Sequence, residues 1–375
     1  MFKHDKLDLK LPKGWNQCSK EQLETIASIY IELMHRASTQ NRQMSERELK
    51  LALFFALTGI KVLSPVNPRL MVEEQYYECS HPDLPERFNL YLYQIDYWIN
   101  GIIDAKALAE YNRSMKEWEK MQEENKIQMT GKSKRNHIPP PIPPRKKIKG
   151  QLDWITDPDA QPLVSLPYEY MVLTDKRFLI PFRRKSFSAP APFMDGFSWQ
   201  RYRFAHDYFD VYLQQYNRLL EMQKDTRHYS DKDIFKQEKT TDVARSMFLA
   251  TIFCPKNTVI DTDTGRPCTA YAYVSNQHSD NASYFRHFPD VTFQVILFWW
   301  SGCIEDLRRT YPHCFKRIDV TKKPANPFNI YARTTATMEK HLGIPEDKVN
   351  KESYRIVLQH LEDMAKEAEE LKRRT

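Results

Sequence analysis

Residues 126–150, KIQMTGKSKRNHIPPPIPPRKKIKG, constrain this chain more than any other stretch. They hold eight lysines and arginines, five prolines and no carboxylate. Proline removes backbone donors, like charges repel, and the few apolar side chains cannot offset the entropy of ordering the segment. A core cannot run through it. The expectation is a disordered basic linker at 126–150 between an N-terminal helical region, 1–125, and a C-terminal mainly helical region, 151–375. A chain of 375 residues is long enough for two modest domains.

The same segment dominates the charge. The whole chain carries +7 and an isoelectric point near 8.9, and with eight cations inside 126–150 the remainder sums to −1. A polyanion would therefore be met by Lys132, Lys134, Arg135, Arg145, Lys146, Lys147 and Lys149, through counterion release. No phenylalanine, tyrosine or tryptophan lies between these charges to stack on bases, so such contact would be weak and non-specific. Pro140, Pro143 and Arg145 also fit a PxxPxR pattern read by polyproline-binding domains. A solvated spacer is the first expectation and weak nucleic-acid contact the second.

Glycine is scarce, nine residues against twenty tyrosines and twenty phenylalanines, which disfavours folds that cradle phosphates in glycine loops. Hydrophobic residues at 41% can fill a core, and a mean hydropathy of −0.66 implies long charged helical faces around it. The six cysteines follow no framework spacing, and MFKHDKLDLKLPKGW has no apolar signal region, so reduced thiols in a cytoplasmic protein are expected. The longest apolar run, VTFQVILFWW at 291–300, is about half a membrane span and reads as a core helix. No membrane association is expected.

Local signals are mainly helical. Ser19 and Gln22 stand in capping-box register, followed by Leu23, Ile26, Ala27, Tyr30, Leu33 and Met34 at the spacing of one buried face. Ser45 and Glu48 repeat the device before a helix apolar almost all round, which Gly59 would end. IKVLSP is a possible short strand, and 85–126 reads as one long helix, aromatic first and charged later. Between 160 and 195 five prolines predict irregular structure with one hairpin. Ser198 opens another helix, TTDVARSMFLATIF is a core helix stopped at Pro255, and 256–289 reads as a polar loop. The final helix carries Tyr354, Leu358, Leu361, Met364, Ala365, Ala368 and Leu371 as a narrow stripe suited to a neighbouring element or a partner helix. The predicted class is mainly α: a multi-helix, bundle-like body with a minor irregular β element.

Catalytic signatures are lacking. Asp261 and Asp263 in VIDTDTG resemble a metal-binding DxD, but they sit in the expected polar loop, and the twelfth position of a calcium loop would be Ala272. Cys303, His313 and Cys314 offer three zinc-type ligands without the paired spacing of a structural site. GKS at 131–133 lacks the upstream glycine of a P-loop. No catalytic residue, cofactor or metal is expected, and the chain reads as a non-enzyme.

Taken in order, LPKGWNQCSKEQL, a helix ending LTGIKV, FSWQRYRFAHDYFDVYL, ARSMFLATIF, FWWSGCIEDLRRTYPHCF and an acidic terminal helix form a succession. It resembles uncharacterised helical proteins encoded in the tail-assembly gene modules of temperate phages and related mobile elements. The resemblance spans most of the chain outside 126–160 and brings no catalytic residues with it. It implies a structural or assembly role, chaperone-like toward a tail component, with phage tail proteins as partners. Nucleic-acid binding through 126–150 is the alternative.

Overall fold

The computed structural model describes residues 11–40, 42–67, 70–71, 74–84, 86–103, 109–110, 113–118, 120–121, 146–148, 150–157, 159–175, 183–225, 228–260, 267–315 and 327–374. The protein is mainly α-helical, and the chain divides into two compact units, Met1–Gln161 and Pro162–Thr375.

In the first unit, α1 (Lys20–Thr39) opens with the expected capping box: Ser19 accepts from the Gln22 amide while the Gln22 side chain accepts from the Ser19 amide. Leu23, Ile26, Ala27 and Leu33 are buried as their spacing requires, but Met34 is exposed and Ala37 completes the stripe. The second box does not form. Glu48 is taken by Arg42 in a two-pronged ion pair, and Ser45 makes no side-chain cap on α2 (Glu46–Thr58). Gly59 ends α2 in the left-handed conformation, φ 73°, that favours glycine.

A three-stranded antiparallel sheet follows, in the order β1 (Lys61–Ser64), β2 (Tyr76–Ser80), β3 (Phe88–Tyr91). The long helix expected from residue 85 is corrected here. FNLYLY alternates with the period of a strand, so β3 forms first and the helix, α3, is confined to Leu92–Asn100. Residues 113–118 are helical again.

The basic segment lies largely outside the described residues, including Lys132, Lys134, Arg135, Arg145 and Lys149. Its end is described: β5 (Lys146–Ile148) pairs antiparallel with β4 (Ile102–Ile103). The C-terminal region was expected to begin at 151, yet residues 151–157 close the first unit. The buried Lys50 ammonium bonds Asp153 at 2.7 Å and Glu46 at 2.5 Å. The second Asp153 oxygen accepts the Gly150 amide. Leu152 and Trp154 are buried, with Trp15 edge-on to Trp154.

The second unit is organised by α4 (Trp199–Lys224), α5 (Asp231–Ile252) and α7 (Asp290–Thr310). Ser198 caps α4 as predicted, accepting the Arg201 amide. Phe248, Phe293, Trp299 and Trp300 fill the core, with Phe209 and Tyr212 against them. Gly302 lets α7 approach the backbone closely, because a Cβ there would stand 2.2 Å from the Leu163 carbonyl oxygen. The Trp299 indole donates to the next carbonyl, Val164, at 3.0 Å.

The expected polar loop at 256–289 is overturned. It holds the hairpin β8 (Cys254–Ile260) and β9 (Pro267–Tyr271), then the short helix α6 (His278–Ala282). These strands join the hairpin β6 (Tyr170–Thr174) and β7 (Arg184–Ser188) in a sheet of order β6-β7-β8-β9. Two helices, α8 (Pro327–Leu342) and α9 (Glu346–Lys351), precede the terminal α10 (Tyr354–Arg374).

Candidate interaction surface

The terminal stripe is divided. Tyr354 and Leu358 are buried within the second unit, where Tyr354 stacks on Tyr202 with centroids 5.0 Å apart. Leu361, Met364 and Ala365 are half-buried, while Ala368 and Leu371 are exposed. As a partner face the stripe is therefore corrected: its first half is used internally. Glu362 locks that half in place. Its carboxylate accepts the His313 and Cys314 amides at 2.9 and 3.0 Å and also pairs with the His313 ring. Burial would raise this carboxyl, but these bonds override it and hold it below its usual range.

Two of the zinc-type candidates thus have structural work. His313 serves Glu362, and Cys303 is buried, its thiol pushed well up by burial. Cys314 is pushed up to about 12, again by burial first and then by Glu362. Among the described residues no group of histidines, cysteines and carboxylates has the arrangement to hold a metal. Asp261 and Asp263 lie outside the described residues.

A cluster that sequence reasoning missed lies beneath β8 and α6. Arg201 is buried and donates to the Thr251 and Ile252 carbonyls at 2.8 and 2.6 Å, closing the end of α5, with Phe197 flat against it at 3.7 Å. Beside it His278 stacks on Tyr208, centroids 4.6 Å apart, and meets the edge of Tyr273. Both His278 ring nitrogens are buried without a protein hydrogen-bond partner, as is the Tyr273 hydroxyl. Burial lowers His278 to about 4 and raises the Cys254 thiol and the Tyr273 phenol. Such a set holds its groups neutral and supplies no activated nucleophile at neutral pH.

The first unit exposes a different feature. Tyr76 and Tyr91 face each other across β2 and β3, centroids 5.8 Å apart, and Tyr93 at the start of α3 continues the row at 5.7 Å from Tyr91. Tyr93 is 52% exposed and Tyr76 36%. Glu78 shares the outward face by its parity with Tyr76 and is paired with Arg87 at 3.2 Å, so the aromatic row has a charged, already neutralised border. The opposite face is core: Cys79 is buried and Tyr77 packs edge-on against Phe55 of α2. The alternation in FNLYLY was the available signal, and its helical reading concealed the row.

No helix among the described residues is long and apolar enough to cross a membrane. No protein-family model, no curated protein and no solved structure matches the chain.

Proposed function

We propose that this chain is a non-enzymatic interaction protein that works in phage tail or virion assembly, chaperone-like toward a tail component, in the host cytoplasm. The observation that carries the reading is the Tyr76–Tyr91–Tyr93 row, exposed at Tyr76 and Tyr93 and half-buried at Tyr91, with its Arg87–Glu78 border. Tyrosines offer large contact area at low entropic cost, and an apolar centre with a polar rim is the anatomy of protein interfaces. The test is co-expression with the products of the genes adjacent to its own. A soluble complex should form with one of them and be lost on Tyr76→Asp with Tyr93→Asp, while the variant's circular dichroism stays that of the parent. A folded parent chain that joins none of them overturns the reading.

The alternative, nucleic-acid binding through 126–150, has one observation in its favour. The backbone of Lys146–Ile148 is hydrogen-bonded to Ile102–Ile103, so two of the segment's cations have a fixed attachment point in the first unit.

A further inference from the structure

The four strands of the second unit's sheet contain Arg184, Lys185 and Lys256 and no aspartate or glutamate. The register sorts these residues by face. Phe187 is fully buried, and Lys185, with the same parity, reaches Asn281 of α6 at 3.0 Å, so this parity faces inward. The opposite parity carries Tyr170, Val172, Arg184, Ser186, Lys256, Thr258, Thr269 and Tyr271. Tyr170 and Val172 are 61% and 66% exposed, and Arg184, Lys256, Thr258 and Thr269 are exposed too. Tyr271 shares a 2.9 Å hydrogen bond with Ser186 across the sheet, and its ring meets that of Tyr170 at 5.3 Å. The two rings therefore share this face with two exposed cations, Lys256 directly across from Tyr271 and Arg184 two residues along β7 from Ser186. Of the two acids flanking β6, Glu169 is exposed just before the strand at the parity opposite to Tyr170, and Asp175 is buried.

We infer that this face binds single-stranded nucleic acid, with bases stacking on Tyr170 and Tyr271 and phosphates lying along Arg184 and Lys256. Two features favour this occupant over a protein strand. A face whose strand residues supply cations, hydroxyls and aromatic rings but no carboxylate complements a polyanion. An open aromatic platform suits unpaired bases, whose π-faces are available only when the strand is single. The site is separate from 126–150, and the inference does not rest on that segment.

The test uses the full chain and a labelled 20-nucleotide oligothymidylate, followed by fluorescence anisotropy, beside a duplex of equal length. The parent should bind the single strand more tightly than the duplex. Tyr170→Ala should weaken that binding by at least about fivefold, the lower end of the stacking loss for one base, while Tyr170→Phe retains it. Arg184→Glu with Lys256→Glu should weaken it and flatten its salt dependence. Tyr170 is largely exposed, so thermal midpoints should stay unchanged and identify these as binding effects. No binding by the parent overturns the inference. So does equal affinity for single strand and duplex, or binding that responds only to Lys146→Glu with Lys147→Glu. A protein partner displaced by Tyr170→Ala, without oligonucleotide affinity, would assign the face to protein docking instead.

Discussion

Each unit of this protein has a small antiparallel sheet with one face on its core and tyrosines on the other, yet the two outward faces differ in charge. In the first unit the Tyr76–Tyr91 pair is bordered by Glu78, whose charge Arg87 cancels. In the second, the Tyr170–Tyr271 pair is bordered by Arg184 and Lys256, and none of the four strands contains an acid. Aromatic exposure alone is thus ambiguous. The border decides whether the same ring is suited to a protein surface or to stacked bases, because a neutral rim admits close apolar contact while a row of cations attracts phosphates.

The comparison assumes that each sheet is held by its own core, and the largest expected effect would test that. Lys50→Ala leaves Asp153 buried without its cation and should cost the first unit about 3–5 kcal/mol. Chemical denaturation should show this loss, while oligothymidylate binding at the second unit's sheet persists at denaturant-free conditions. Loss of both together would mean that the two faces are not independent.

A pH change should act on the second unit instead. The unfolded chain binds a proton at His278 near pH 6.5, whereas the folded chain resists it until about 4. Stability supplied by the neutral ring is present above 6.5 and is lost as pH falls toward 4, by up to about 3 kcal/mol. His278→Phe keeps a ring against Tyr208 and removes the titration. Its thermal midpoint should fall less than the parent's between pH 7.5 and pH 5, and equal falls would show that His278 is not held neutral.

Smaller effects concern the basic segment and the tyrosine row. Lys146→Glu with Lys147→Glu should weaken duplex binding by a similar factor for every sequence and lower the salt slope by about one to two units. Sequence-selective loss would contradict a purely electrostatic contact. Tyr93→Asp should shift stability by no more than about 0.5 kcal/mol, since the ring is half in water, while abolishing the protein complex. A large drop in the thermal midpoint would make Tyr93 a packing residue and remove it from the interface.

Helices were legible in the sequence where their ends were encoded locally. Ser19, Ser198 and Gly59 act where their types and positions placed them. The Ser45–Glu48 box stays incomplete because the Ser45 hydroxyl makes no cap, while Glu48 is also paired with Arg42. Strands were harder to see. The sequence between β8 and β9, DTDTGR, is polar, and with the threonines and asparagine of the strands it made 256–289 look like a solvated loop. The tyrosine faces were hidden for the same reason, since a sheet face exists only once partners and register are known. The terminal stripe was visible in full, but not the division between its buried first half and its exposed end. That division depends on Glu362 meeting backbone amides 48 and 49 residues away.

The turn at Phe193 and Met194 places both residues in the left-handed region, φ 58° and 57°, at a cost of about 1–3 kcal/mol each. The carbonyl of Phe193 is held there by Tyr354 and Arg355, 161 and 162 residues further along the chain. The adjoining backbone is paired in the same way, Trp199 to Glu352 and Tyr354 to Phe197. On the ribosome, the entrance to α4 must therefore wait for almost the whole second unit to be synthesised before its clasp arrives. Until then the turn keeps its bond from the Phe193 amide to the Val164 carbonyl but lacks the Tyr354 and Arg355 donors, and the aromatic pocket of Phe197 and Tyr202 stays unfilled by Tyr354. Closure of this end of the unit is set to come late in its synthesis, after residues 352–355 are made, whatever the speed of the helices that precede them.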